Sequence, residues 1–458
     1  MYFYLKIFSK QFILKKQFNH NPKEIQMIKS MFCAIFIFCC ALVSAAEIEI
    51  IPAEFKSYKV NEEITFKVTA YESKDKLMKN GVFEFTVKDG NRILLKKVKA
   101  DLSKANPFTI KVKAVRPGFI MAFAEPYKNR EGKRCLWSGV NKYPAVGGVV
   151  VEPEKIRQAG TVPADFDQFW QDGLKAYTKA EVITEPAADI KLRGYKVFRV
   201  TVKHPDGSGA ITGFLAIPEK AGKYPAAVSV PGAGPGVVTP YSFLPYTTPH
   251  IMLAMNVHPF PTAKTVDEQK ALYAKLNKSC KTRTYSRENA DDRNKYVYRK
   301  VWLAVSRAID YVAKLPEFDG KHFISVGSSQ GGGSALALGY LNRNITCVAA
   351  HVPALCDHLA LLDKRQPGWP QLCVVLNNKK VANVAPYFDG ATFASRIKVP
   401  TMISVGYVDT TCSPSSVYAA FNNLKGEKVI FPMYRHGHSI SPDAGKAMQS
   451  FLSRQLKK

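Results

Sequence analysis

The chain contains no Cys-x-x-Cys pair and no cluster of cysteine, histidine and carboxylate residues at metal-ligand spacing. This excludes a structural zinc motif and a dithiol redox motif. No internal repeat of fixed period and no low-complexity tract interrupts it. One apolar run, Met31 to Val43, draws the eye, but it is too short to cross a membrane. Acidic residues are also scarce. The 37 Asp and Glu stand against 65 Lys and Arg, for a formal net charge of +28.

What is present is material for a large interior. With 458 residues, 46% hydrophobic and 11% aromatic, the chain has enough apolar side chains for more than one core. Lys29, the Met31–Val43 run and the small residues Ser44, Ala45 and Ala46 together have the pattern of a secretory signal peptide. Met27 is a second plausible start, which makes residues 1–26 an upstream extension. Residues 1–46 are therefore expected to be an extension and leader, and the mature protein to be exported, periplasmic or extracellular. Loss of the six lysines and one glutamate in that segment lowers the charge by five, to about +23.

Cleavage also removes Cys33, Cys39 and Cys40 and leaves Cys135, Cys280, Cys347, Cys356, Cys373 and Cys412. An even count permits disulfides in an exported protein, yet irregular spacing favours buried thiols for most of them. The positive charge is spread along the whole chain rather than gathered into a stripe. Without a recognition motif it reads as solvated surface, suited to anionic polysaccharide or envelope, and no nucleic-acid partner is expected. No membrane span should persist after cleavage, and the oligomeric state is left open.

Residues 47–152 read as an all-β domain. Ile64, Phe66, Val68 and Ala70 alternate in "EITFKVTA"; Phe83, Phe85 and Val87 do so in "VFEFTV", and Phe108, Ile110 and Val112 in "FTIKVKA". Short alternating strands parted by "KDGN" and "RPG" predict an immunoglobulin-like sandwich. Residues 153–458 differ. Continuous apolar runs such as "PAAVSVPG", "HFISVGSS" and "PTMISVGYVD" alternate with helical patterns, among them "RKVWLAVSRAIDYVAKL" with Val301, Val305, Ala308, Ile309 and Val312 on one stripe. That alternation predicts an α/β domain with a mostly parallel sheet covered on both faces.

Within it lies "FISVGSSQGGGSALALGY". Gly327, Ser329 and Gly331 fit G-x-S-x-G, a pattern expected by chance about 0.1 times in a chain of this length. A buried strand before it and a small-residue helix after it supply the setting of a nucleophile elbow. Ser329 is then the exposed hydroxyl, and the flanking glycines let the backbones pass without Cβ clashes. A serine hydroxyl needs a base, and the base needs an orienting carboxylate. In this architecture the acid follows, then the histidine. Asp409 comes directly after the apolar run "ISVGYV", and "RHGHS" after the next strand offers His436 and His438. Gly437 provides a free turn before His438, which favours it as the base, while His436 lies nearer the strand. For an oxyanion hole the backbone N–H of Gln330 is one donor. The other is expected in "PGAGPG", at Ala233 with Gly234 second. His258, Gly234 and His436 are candidates for the substrate pocket, whereas His351 and His358 read as interior or surface residues.

The segments "PADFDQFW", "YPAAVSVPGAG", "GSSQGGG" and "GYVDTTCSPSSVYAAFNNL" resemble the acetyl xylan esterase and cephalosporin-C deacetylase family of α/β-hydrolases over about residues 155–458. The family's G-x-S-Q-G-G pattern matches at Gly327, Ser329, Gln330, Gly331 and Gly332. Its acid motif matches at Asp409, Cys412 and Pro414, and its Cys-Asp segment at Cys356 and Asp357. The chain departs from it where "NVHPF" replaces an Arg-Gly-Gln motif, where Pro231-Gly232-Ala233 replaces His-Gly-Tyr, and at Ser439. The resemblance implies a secreted serine esterase that removes acetyl groups from acetylated oligo- or polysaccharide, with no metal or organic cofactor. A broad-specificity carboxylesterase or serine peptidase of the same fold, and a non-catalytic carbohydrate-binding or envelope protein, stay open as alternatives.

Overall fold

A computed structural model describes residues 47–73, 76–125, 127–128, 134–135, 145–240, 249–263, 265–375 and 377–458. The leader expected over residues 1–46 lies outside them, as do Cys33, Cys39 and Cys40. Among the described residues no helix is long and apolar enough to cross a membrane. Cys280, Cys347, Cys356, Cys373 and Cys412 are free thiols, all but Cys373 buried.

Period-two alternation does what it should in the N-terminal β-rich region. Ile64, Phe66, Val68 and Ala70 of strand Glu63–Ser73 have no exposed surface. That strand pairs with Glu47–Pro52 and Phe108–Lys113 in one sheet. A second sheet runs Ser57–Tyr58, Val146–Val151, Gly118–Ala124, Val82–Asp89 and Ile93–Asp101 in spatial order. A common core that includes Phe66, Phe85, Ile110 and Val149 unites the two. Phe119 and Val150 instead join the core of the following α/β region. The two regions thus share apolar packing.

The central sheet has nine strands. In chain order they are β1 (Val182–Pro186), β2 (Tyr195–Lys203), β3 (Ala210–Pro218), β4 (Tyr224–Ser229), β5 (Ile251–Met255), β6 (Phe318–Ser328), β7 (Cys347–His351), β8 (Thr401–Gly406) and β9 (Lys428–Met433). Their spatial order is β1-β2-β3-β5-β4-β6-β7-β8-β9. The pairings from β5 onward are parallel, and those among β1, β2, β3 and β5 antiparallel. The mixed α/β architecture with a mostly parallel sheet is therefore as the apolar runs predict. Helices α1 (Phe166–Tyr177) and α2 (Val297–Val312) cover one face, and the Val301, Val305, Ala308, Ile309 and Val312 stripe is buried there. Alternate residues of the middle strands serve the other face. Ile324, Val326, Cys347, Ala349 and Met402 meet Met448, Phe451 and Leu452 of the C-terminal helix Pro442–Gln455.

An aromatic cluster locks α1 to α2 at the first face. The Trp170 and Trp302 rings lie 5.8 Å apart, and Phe393 sits edge-on to Trp302 at 5.3 Å. Such contacts add about 0.5–1.5 kcal/mol each beyond area burial. They hold the scaffold from whose carboxyl-end loops the candidate site is built.

Candidate active site

Strand β6 ends at Ser328, and helix α3 (Gln330–Leu341) begins at Gln330. Ser329 takes the whole turn, at φ 57° and ψ −122°. A side chain at positive φ is strained, so the surroundings must over-determine it. They do. Ser329 N–H donates to the His351 carbonyl at 2.9 Å, and its own carbonyl accepts from Gly333 at 3.0 Å and Ala354 at 2.9 Å. The glycines fit for a steric reason: a Cβ on Gly327 would strike the Gly331 carbonyl, and one on Gly331 the Val230 carbonyl.

The acid loop leaves β8. Asp409 is 1% exposed, and its Oδ1 accepts from the N–H groups of Thr411 at 2.8 Å and Cys412 at 2.9 Å. Its other oxygen lies 2.8 Å from His438 Nδ1. His438 Nε2 lies 2.8 Å from Ser329 Oγ. This network assigns the tautomer in which Nδ1–H donates to the carboxylate and Nε2 accepts from the hydroxyl. Three residues separated by 29 and 109 positions from His438 outward are brought into one hydrogen-bonded chain. His436 stands apart from it. Its carbonyl accepts from Val408 N–H at 3.2 Å, so its backbone ties the histidine loop to the acid loop. Gly406 admits this approach, since a Cβ there would collide with the Gly437 carbonyl.

Gln330 has a second attachment that its sequence position did not reveal. Its buried Oε1 accepts from the hydroxyls of Tyr285 and Tyr298, each at 2.6 Å, and its Nε2 donates to the Pro231 carbonyl at 3.1 Å. Burial pushes both phenols far up from their ordinary pKa, so they stay neutral donors. The amide thus fastens the elbow to the Pro231–Gly236 loop. Of that loop's glycines, Gly232 is the one beside the nucleophile: a Cβ added to it would lie 3.9 Å from Ser329 Cβ. Ala233 follows it on the exposed side, and Gly234 turns at φ +119° with open space beside it.

His258, expected at the pocket, is instead interior. It has no exposed surface and stacks on Phe260 at 5.0 Å and edge-on to Tyr285 at 4.7 Å, behind the tyrosine that holds Gln330. Neither ring nitrogen has a hydrogen-bond partner among the described residues. Burial lowers its pKa from 6.5 to about 4. Between those values the unfolded chain binds a proton that the folded one refuses, so the stability His258 contributes is lost as pH falls. His258→Phe is therefore expected to gain on wild type by up to about 1.4 kcal/mol for each pH unit of acidification in that window. Urea unfolding at pH 7.0, 6.0 and 5.0 reads the difference; a gap that stays constant across the three would refute it.

The Cys-Asp segment is structural in a similar way. Asp357 accepts from Ala159 N–H at 2.7 Å and pairs with buried Arg365 at 2.7 Å, while Asp389 accepts from Asp357 N–H at 2.8 Å and His358 N–H at 2.6 Å. Asp409, Cys412 and His438 offer ligand atoms within 4.8 Å of one another, the one group among the described residues with metal-ligand chemistry. In this structure the Asp409 and His438 atoms are engaged with each other. Burial, and next the Asp409 charge, raise the Cys412 thiol well above its usual pKa. It is a neutral neighbour of Ser329, not a competing thiolate.

The sequence model of the acetyl xylan esterase family matches residues 151–454. The chain belongs to that family. The acetyl esterase Axe7A of Xylanibacter ruminicola is 31% identical over 324 residues, covering 69% of this chain and 72% of that protein. Among solved structures, acetyl xylan esterase 1 from Thermoanaerobacterium sp. superposes with a TM-score of 0.56 at 20% identity, covering 66% of this chain and 98% of its own. An acetyl xylan esterase from Paenibacillus sp. R4 gives 0.53 at 22% identity, with the same coverage on both sides. At such identity these two likenesses speak for the fold alone. Membership of the acetyl xylan esterase family makes this chain a carboxylic ester hydrolase of the α/β-hydrolase type. The resemblance carried by "GSSQGGG" and "GYVDTTCSPSS" is borne out at that level.

Proposed function

We propose that the protein is an exported serine esterase that removes acetyl groups from acetylated carbohydrate, xylan or its oligosaccharides first among them. The observation that carries the reading is His438 standing 2.8 Å from both Ser329 Oγ and Asp409 Oδ2. Ser329 Oγ attacks the acetyl carbonyl while His438 Nε2 takes its proton. Asp409 holds the tautomer and stabilises the imidazolium that forms. The N–H groups of Gln330 and Ala233 receive the developing oxyanion; the first N–H groups of a helix have no intrahelical acceptor and are free for that task. The imidazolium then returns the proton to the departing sugar oxygen, which leaves an acetyl-serine. Water, deprotonated by the same nitrogen, attacks this ester, and acetate departs as Oγ recovers its proton.

Family membership and the name of the Xylanibacter relative support acetyl as the acyl group. In the same reading residues 47–152 are an immunoglobulin-like sandwich domain, residues 153–458 the catalytic domain, and residues 1–46 an extension and leader. The test is acetate release from a panel of acetylated xylo-oligosaccharides, acetylated hexoses, longer-chain acyl esters and peptides. Turnover is expected on the acetylated sugars, with acyl chains of four or more carbons slower by about tenfold or more. Peptide cleavage without acetate release would assign the protein to the peptidases.

A further inference from the structure

The β-rich region before residue 153 does more than sit beside the hydrolase: besides Arg116 on the Asp363 and Lys364 carbonyls and Phe119 on Tyr418, several of its contacts fall on the two loops that carry Asp409 and His438. On the acid side, a Cβ on Gly148 would run into the Tyr407 carbonyl, so strand Val146–Val151 lies flush against the loop two residues before Asp409. Phe119, from the neighbouring strand, packs edge-on to Tyr407 at 5.0 Å. A polar relay reaches the other flank. In the turn between strands Val82–Asp89 and Ile93–Asp101, the Gly90 carbonyl accepts from Gln366 N–H at 2.9 Å and the Asn91 amide bonds the Gln366 side chain. The Gln366 amide in turn donates to the Thr410 carbonyl at 2.5 Å, one residue past Asp409.

The histidine side is held separately. Phe55 packs on Tyr434 at 5.3 Å, and Glu49 pairs with Arg435 at 2.8 Å, four and three residues before His438. Tyr434 also meets Tyr407 at 5.0 Å, joining the two loops beneath these contacts.

We infer that the N-terminal β-rich region is a positioning element, setting the acid loop through Gly148 and the Asn91–Gln366 relay and the histidine loop through Phe55 and Glu49. The inference rests on the Ser329–His438–Asp409 reading above. Its physical basis is that a serine hydrolase depends on sub-ångström placement of acid against base, and a misplacement of about 1 Å costs on the order of 10²-fold. Both loops are otherwise irregular backbone at the end of a sheet. Contact from a second rigid region removes freedom that the loops alone would retain.

The experiment uses the full chain with two mild variants. Asn91 sits at φ 57°, so Asn91→Gly keeps the turn and removes only the amide. Phe55 is 44% exposed, so Phe55→Ala should fold. Rates are expressed per active site titrated with a serine-directed phosphonate, so unfolded enzyme does not count. Each variant is expected to lower kcat about fivefold with KM within about twofold of wild type. The double variant should multiply the losses, because the two loops are held through different contacts. Phe55→Tyr should restore the rate. Unchanged kcat in both single variants overturns the inference, whatever happens to the melting temperature. So does a raised KM at unchanged kcat, which would put the region on the substrate instead. Ser329→Ala, which has no serine to titrate and is expressed per mole of folded protein, separates the two levels of the argument. If it is inactive while Asn91→Gly and Phe55→Ala match wild type, only the positioning role fails; if it is active, the triad reading fails first.

Discussion

Ser329→Ala is expected to lower kcat/KM for acetyl esters by about 10⁴-fold or more, with Tm shifted by no more than about 4 °C. The two halves of that expectation have separate grounds. Alanine keeps the Cβ and therefore the same strained backbone at φ 57°, and the three backbone hydrogen bonds around the elbow do not involve the hydroxyl. The fold thus loses one hydrogen bond, to His438, worth about 1 kcal/mol. Under the proposed mechanism the chemistry loses its nucleophile. The residue left should be what the oxyanion donors and substrate binding supply, so adding His438→Ala to Ser329→Ala should cost little more. A Ser329→Ala enzyme within about tenfold of wild type would remove the serine from the mechanism. A double variant that fell by the product of the single effects would mean that the two side chains act independently.

How much of this was legible in the sequence depends on how local the signal is. Strands β6 and β8 announce themselves because a strand buried on both faces must be largely apolar, and "FISV" and "MISV" break the run only at Ser325 and Ser404. Ser329 was legible because an elbow demands small residues at fixed offsets, which the collisions at Gly327 and Gly331 now explain. Asp409 could be found because it is the first carboxylate after a buried run. The side chain of Gln330 could not. Its tyrosine partners lie 45 and 32 residues upstream, and nothing in a tyrosine's immediate neighbours tells whether its hydroxyl will meet a buried amide. His258 misled for a related reason. A histidine after a strand end looks placed for a pocket, yet packing against Phe260 and Tyr285 turned it into a buried ring. The clasp of Gly90 and Asn91 on Gln366 spans about 275 residues and leaves no local pattern at either end.

The choice between His436 and His438 carries the other large expectation. His438→Ala should reduce kcat/KM by about 10⁴-fold, and His436→Ala by less than about tenfold. What His436 contributes to its surroundings is a carbonyl, accepting from Val408, and alanine retains it. What His438 contributes is the ring itself, bridging the carboxylate and the hydroxyl. Asp409→Asn supplies the control on the direction of the bridge. An amide presented to Nδ1 favours the tautomer that carries its proton on Nε2, which cannot accept from Oγ, so its loss should approach that of His438→Ala although every contact distance is preserved. Should His436→Ala prove the more damaging substitution, the base would have to reach Ser329 from the other side of Gly437. The loop would then need a conformation in which the His436 carbonyl releases Val408.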